Sequence, residues 1–532
     1  MLRVTVSIAP IELPEDLESL RELAHRQQRE LAEQAEQIRW LEEYVRLLKH
    51  QRFGRRSEQA SDEQLRMFNE AEAAAGVAEE EEAPEAEISV AAHTRRPRGR
   101  KPLPAWIPRV EILHDLSEAE KVCEADGQAL EVIGQEILEQ LEFIPATVRV
   151  LRHVRPKYAC PRCRTGIRVA PLPPQPIPKS VASPALLAHV AVSKYADGLP
   201  LYRQEGMLKR GGIDLPRATL SHWMVRAGEL VQPLVNLLRE ELLASGFVQC
   251  DETRFQVLKE PGKPATSQSY LWAQRGGPET PLVLFDYDPS RSGEVPKRLL
   301  EGFQGILQTD GYEGYAAVAS QPGIVHVGCW AHCRRKFTEA LKAQSASQKR
   351  KRSLKESQAL RGLGFIQKLY QIERQAVGKS PAERQKLREE RSEPVLEAMR
   401  RWLDEALPRV PPQSLTGKAL SYAHSQWPKL VRVLRDGRIP LDTNLVENAI
   451  RPFVVGRKSW LFADTVQGAE ASANLYSVIE TAKASGLEPF AYLRHVFTEL
   501  PRATTLAEIE ALLPGNLDPT LLQDPRRSHA AA

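Results

Sequence analysis

A chain of 532 residues is longer than one ordinary hydrophobic core fills, so three or four domains are expected. Its 42% hydrophobic and 27% charged residues mark a mostly globular protein, and its net charge of +4 is small but unevenly placed. An apolar N-terminal targeting segment and an 18-residue apolar run are both missing, so no membrane span is expected. The six cysteines do not form a secreted disulfide framework, which makes the cytoplasm the expected compartment.

Residues 15–50 read as one long helix. Leu17, Ala24, Leu31, Ile38 and Val45 fall at one heptad position and Leu20, Gln27, Gln34, Leu41 and Leu48 at the other. This is the seam of a coiled coil, with Gln27 and Gln34 as polar interruptions that fix register. The alternative is a helix docked on its own core. Residues 56–104 are expected to be an acidic linker, with EEEE at 79–82, followed by a basic arm, RRPRGRKPLP. Arg98, Arg100 and Lys101 in that arm resemble an AT-hook, whose arginines enter a narrow minor groove; a solvated linker is the competing reading.

Residues 105–178 read as a small β-rich, zinc-ribbon-like unit. Cys160 and Cys163 have the spacing that lets two thiolates reach one zinc ion. Upstream, Cys123 is followed by Asp126 where a second cysteine would complete the set. Zn2+ held by Cys123, Asp126, Cys160 and Cys163 stands against a degenerate knuckle with free thiols. Residues 183–243 read as helices with a Gly-Gly turn, the outline of a helix-turn-helix. Arg217, Thr219, Ser221, His222 and Arg226 would be available to a groove; an ordinary helical hairpin is the alternative.

From Phe247 the pattern changes to short apolar runs: FVQCDET, SYLWAQ, PLVLFDYD, QGILQTD and IVHVGCW. The expected order is β-β-β-α-β-α-β and then helix, a mixed sheet with helices on its faces. Residues 336–436 read as an all-helical insertion within a core spanning 244–500, and 501–532 as a tail. Asp251 lies inside the first apolar run, where an acid is costly unless paired or metal-bound. Asp310 ends the fourth, before Gly311. If those two strands are neighbours, the acids lie side by side, where repulsion favours a divalent cation. The competing reading is that aspartates are common turn formers at strand ends. Farther on, Asp442 and Glu447 sit close together. Asn444 followed by Glu447 reads as a capping box, so local sequence leaves their role open. Pro452 is expected to end or kink the helix they begin.

CDET at 250–253, TDGYEGY at 309–315, CWAHCRRKF at 329–337 and DTNLVENAIRPFVVGRKSWLF at 442–462 together resemble transposases of the insertion-sequence-66 class. So do LRHVRPKYACPRC at 151–163, SKYADGLPLYRQ at 193–204 and IETAKASGLEPFAYLR at 479–494. The resemblance spans about residues 15–515. It implies a DDE transposase with an RNase H-like core and catalytic, Mg2+ (or Mn2+) binding acids at Asp251, Asp310 and Glu447. It also implies a helical insertion before the third acid and, where Asp126 stands, a cysteine that this chain lacks.

The implied partners are the element's terminal inverted repeats, target DNA, a second protomer or higher homo-oligomer, and accessory proteins of the same element. His332 would orient a phosphate or a catalytic acid, and Arg334, Arg335 and Lys336 would hold DNA phosphates. Arg451, Arg457 and Lys458 follow Glu447 closely and would contact the backbone near the cut. Trp460 would stack on a base or, alternatively, fill the core. The implied reaction is cleavage of the element's ends and joining of the 3′-hydroxyls to target DNA. The competing functions are a metal-dependent nuclease or resolvase without joining, and a non-catalytic DNA-binding regulator.

Overall fold

The computed structural model of the chain describes residues 16–53, 148–158, 168–342 and 357–522. The basic arm with Arg98, Arg100 and Lys101, the ribbon residues Cys123, Asp126, Cys160 and Cys163, and the QKRKR run at 348–352 lie outside the described residues.

Helix α1 runs Leu17–Phe53. Its heptad residues Leu20, Leu31, Ile38, Leu41 and Val45 are exposed, so these seam positions are not buried against the described residues. Two short exposed strands, β1 (Lys157–Tyr158) and β2 (Arg168–Val169), pair antiparallel. Four helices follow. Helix α2 (Pro184–Tyr195) is capped by Ser183, whose hydroxyl accepts the Leu186 N–H, with Pro184 in the first turn, where its missing N–H costs nothing. Helix α3 (Leu201–Arg210) ends at the Gly211-Gly212 turn, and α4 (Arg217–Leu230) and α5 (Gln232–Ala244) complete the set.

The sheet is built from β3 (Phe247–Phe255), β5 (Ser269–Gly276), β6 (Val283–Asp288), β7 (Gly305–Gln308) and β8 (Ile324–Val327), with a short β4 (Val257–Lys259) outside it. The order across it is β6-β5-β3-β7-β8. Close connections make β3, β5 and β6 antiparallel, whereas the crossovers through α6 (Glu294–Leu299) and α7 (Ala316–Ala319) make β3, β7 and β8 parallel.

After the sheet come α8 (Trp330–Lys342), α9 (Gln358–Gln375), α10 (Pro381–Leu387), α11 (Glu393–Ala406) and α12 (Leu415–Leu430). Then α13 (Asn444–Trp460) returns to the sheet, β9 (Ala463–Thr465) pairs with β4, and α14 (Val466–Ala484), α15 (Pro489–Glu499) and α16 (Leu506–Glu510) close the chain.

Two hydrophobic cores result. One joins α2, α4 and α5 to the sheet, α13, α14 and α15, so the helices of 183–243 have no core of their own. Leu512, Leu513 and Leu517 are buried in it too, so the expected tail is packed at least to that point. Gly228 marks the contact of α4 with α14: a Cβ there would lie 2.5 Å from Ala471. The other core is the helical insertion, α9, α11 and α12 around Trp330, Cys333 and Phe337 of α8. Edge strand β6 is covered by α14. The Ser477 and Thr481 hydroxyls accept the Phe285 and Val283 N–H groups at 2.8 and 3.0 Å, which closes an edge otherwise open to strand addition.

Candidate active site

Strand β3 enters the core with Phe247, Val248, Gln249 and Cys250 all buried, then carries Asp251, half-buried at its middle, opposite Ala273 of β5 and just past the last residue paired with β7. Its parallel partner β7 is in register Gln249↔Gln308. Continuing that register by two residues sets Asp251 beside Asp310. The Asp251 carboxyl is pushed well above the usual carboxylate range, first by burial and then by the charges of Glu252, Asp310 and Glu447. Asp310 is held on both sides. Its Oδ1 accepts the Tyr312 N–H at 2.9 Å, and its carbonyl accepts the Tyr422 hydroxyl. Between them Gly311 has φ +97°, and a Cβ there would press on Gln426 and Tyr422 at 3.1–3.2 Å.

The third acid arrives on α13. Two buried glutamines, one from each central strand, bind the segment that starts this helix. Gln249 donates to Gln308 Oε1 at 2.8 Å and to the Asp442 carbonyl at 2.9 Å, and accepts the Val446 N–H at 3.1 Å. Gln308 donates to the Pro440 carbonyl at 2.9 Å. Thr443, not Asn444, is the residue before the first helical turn, so the expected capping box is not formed. The Glu447 carboxylate instead accepts the Thr443 hydroxyl at 3.1 Å, with Arg335 Nη2 3.3 Å from Oε2 and His332 Nδ1 3.6 Å from Oε1.

Asp442 turns the other way. Its Oδ1 accepts the Asn444 N–H and its Oδ2 the Tyr370 hydroxyl, at 3.2 and 2.9 Å. Burial pushes its carboxyl up, against the effect of those two bonds. Of the two outcomes expected at Pro452, ending the helix does not occur: α13 continues through it to Trp460. Trp460, half-buried, packs edge-on against Phe255 and Phe453 of the core, at 5.7 and 5.3 Å.

The other residues marked in the sequence are spread more widely. On α4, Arg217, Ser221, His222 and Arg226 are exposed and Thr219 is half-buried; the helix packs on α2, α3 and α14, and Arg226 pairs with Glu229 at 2.6 Å. The Arg334 guanidinium lies 6.0 Å from the Tyr370 ring centre, and Lys336 is exposed. Burial lowers the affinity of His332 for a proton, opposed by Glu447 and reinforced by Arg335. Arg451 is half-buried, Arg457 donates to the Arg254 carbonyl, and Lys458 is exposed.

Sequence reasoning missed Gln249, Gln308, Thr443, Tyr422 and Glu252. The Glu252 side chain is only 2% exposed and accepts Arg291 at 2.5 Å and the Tyr315 hydroxyl at 2.8 Å. Burial raises its proton affinity, Arg291 opposes this, and Asp310 adds to it. The available signal was two glutamines inside otherwise apolar strands, which must find partners once buried.

The chain matches the family model for the transposase IS66 family over residues 179–471. It also matches "Transposase C of IS166 homeodomain" over 40–112, the zinc-finger binding domain of transposase IS66 over 120–164 and the IS66 C-terminal element over 477–514. It is 35% identical over 427 residues to the uncharacterized protein y4jD of Sinorhizobium fredii (strain NBRC 101917 / NGR234), covering 78% of this chain and 81% of that protein. It is 33% identical over 502 residues to y4qI of the same organism, covering 91% and 90%. With more than half its length matched by one family model and most of the remainder by three accompanying ones, the chain belongs to the IS66 transposase family.

Proposed function

We propose that this protein cleaves the ends of its insertion sequence and joins the freed 3′-hydroxyls to target DNA by metal-dependent phosphoryl transfer. The observation that carries this reading is the crowding of half-buried Asp251 by Glu252, Asp310 and Glu447, which favours a bound cation. The donors of Asp251, Asp310 and Glu447 are all carboxylate oxygens, the ligand type that suits Mg2+ or Mn2+. Bound there, such ions would activate the attacking oxygen and stabilise the leaving one. The sheet order, with one acid within its central strand β3, a second just past the adjacent β7 and a third on a returning helix, supports an RNase H-like core.

Within this reading the chain's own groups act by positioning. Tyr312 and Tyr422 hold Asp310, Thr443 and Arg335 hold Glu447, and the Gln249–Gln308 pair holds the helix that delivers it. Arg334, Lys336, Arg451, Arg457 and Lys458 supply positive charge for phosphates, and the exposed face of α4, with the basic arm, reads the element's ends. The zinc-finger match at 120–164 supports zinc at Cys123, Asp126, Cys160 and Cys163. The exposed seam of α1 supports pairing of two protomers. Deletion of residues 15–50 should then lower the oligomer mass and abolish paired-end complexes; an unchanged mass refutes the pairing role.

The test of the reaction is incubation of the purified protein with Mg2+, element-end DNA and a target plasmid. Strand-transfer products are expected. Cleavage without joining favours a nuclease, and DNA binding without either favours a regulator.

A further inference from the structure

Cys329, just before α8, and His332, in its first turn, are three residues apart and share one helical face. Glu447 approaches that face from α13. One ligand atom from each of the three lies within 4.8 Å of the other two. We propose that Cys329, His332 and Glu447 form a thiophilic cation site, suited to Zn2+, and that zinc bound there competes with the oxygen-ligated ion of the proposed reaction for the Glu447 carboxylate. The competition rests on the function proposed above; the site itself does not.

The geometry is close to what zinc needs. Bonds of about 2.0–2.3 Å at tetrahedral angles separate ligand atoms by about 3.3–3.6 Å. His332 Nδ1 stands 3.6 Å from Glu447 Oε1 and is a buried nitrogen with no hydrogen bond. An orphaned buried nitrogen is costly unless something binds it. Arg335 takes Oε2 of Glu447 and leaves Oε1 to face the imidazole. The Thr443 hydroxyl lies 3.2 Å from Cys329 Sγ and 3.1 Å from Glu447 Oε1, and its N–H is 3.4 Å from Sγ. Such donors stabilise a metal-bound thiolate from the outer shell. On binding, the thiol releases its proton to solvent and the sulfur pair bonds the metal. Sulfur and imidazole select zinc over magnesium, whereas the all-carboxylate site has the opposite preference.

The experiment uses the metal-free full-length protein, Co2+ as a spectroscopic probe, and the variants Cys329→Ala and His332→Ala. The ribbon cysteines also bind cobalt through sulfur, so the readout is the difference between wild type and each variant. Wild type should bind one more Co2+ than Cys329→Ala, with a stronger sulfur-to-cobalt absorption band. His332→Ala, which alters a partly exposed side chain, should weaken that increment about 10–100-fold while leaving the fold intact. Equimolar Zn2+ should then inhibit Mg2+-dependent end cleavage by wild type and not by Cys329→Ala. Identical cobalt stoichiometry and spectra in all three proteins would overturn the site. A cobalt difference with cleavage insensitive to zinc overturns the competition. Absence of all cleavage with the cobalt difference intact refutes the proposed function and leaves the site standing.

Discussion

Two places in this molecule bury charge, and they do so in opposite ways. In the helical insertion the Arg388 side chain is 1% exposed and every one of its N–H donors is matched. Nε and Nη2 bind the two oxygens of Glu373 at 2.6 and 2.9 Å, Nη1 binds the carbonyls of Val433 and Asp436, and Nη2 that of Ile439. Within strand β3 Asp251 is half-buried among other acids, and its environment resists the charged form. The first arrangement is complete by itself and pins the chain just ahead of Asp442. The second crowds like charges and, in the proposed reading, is completed by a cation. Burial of charge therefore separates a structural hub from a candidate site only when its partners are counted.

The largest effect should come from breaking the complete arrangement. Arg388→Met leaves Glu373 without its guanidinium partner and takes a donor from each of three carbonyls, of which that of Asp436 keeps the Ile439 N–H. It should destabilise the fold by about 3–5 kcal/mol, measured by denaturant titration. A loss under about 1 kcal/mol would show that the hub is replaceable. Next are Asp251→Asn, Asp310→Asn and Glu447→Gln. Each should lower end cleavage at least ~10²–10³-fold in proteins that remain folded by circular dichroism, since each removes charge stabilisation of the reacting phosphate. Wild-type cleavage rates in any of the three would remove that acid from the site.

Smaller, and opposite in sign, is the effect of Asp251→Asn on the metal-free protein. Relief of like-charge burial should raise its stability by about 1–2 kcal/mol at neutral pH. The sign follows from the raised proton affinity of Asp251 in the native state. Below about pH 3.9, the unfolded value, the carboxyl is protonated in both states and costs nothing. As pH rises toward the native value, the native state holds the proton that the unfolded state has lost, and stability falls. The gap between variant and wild type should therefore widen with pH, and Mg2+ should narrow it. A gap that shrinks with rising pH contradicts the raised value. The smallest expected effect lies farthest from the acids: Arg217→Ala should reduce the salt dependence of end-DNA binding by about one unit of slope, with Mg2+-dependent chemistry on bound DNA unchanged. An unaltered slope would take α4 out of the DNA interface.

Much of the frame was readable because it rests on local periodicity. The heptads of α1 require only spacing along one helix. The apolar runs from Phe247 to Val327 are strands because alternating or continuous apolar residues suit a sheet whatever lies around them. The IS66 resemblance was carried by short motifs around CDET, TDGYEGY and DTNLVENAIRPF, and the family models match the same parts of the chain. Less of the site was readable. Glu447 could not be separated from Asp442 on local grounds, because both precede or open the same helix. Gln249 and Gln308 gave no hint of their roles, since a glutamine's partners are set by what lies across the fold.

By itself, then, the sequence determined the helical seam, the run of strands, the helical insertion and the presence of one acid within a strand and another just past one, all of which follow from spacing and side-chain type. Only the tertiary structure decided the order of strands, the rotation of α13 that turns Glu447 toward Arg335 and His332 while Asp442 meets Tyr370, and the passage of that helix through Pro452. It also packed the half-buried Trp460 against the core and set Cys329 beside Glu447, residues 118 positions apart by their numbers. The physical reason is the same in each case. These outcomes depend on hydrogen bonds and packing between segments distant in the chain, and no local propensity encodes which distant partner a buried polar group will find.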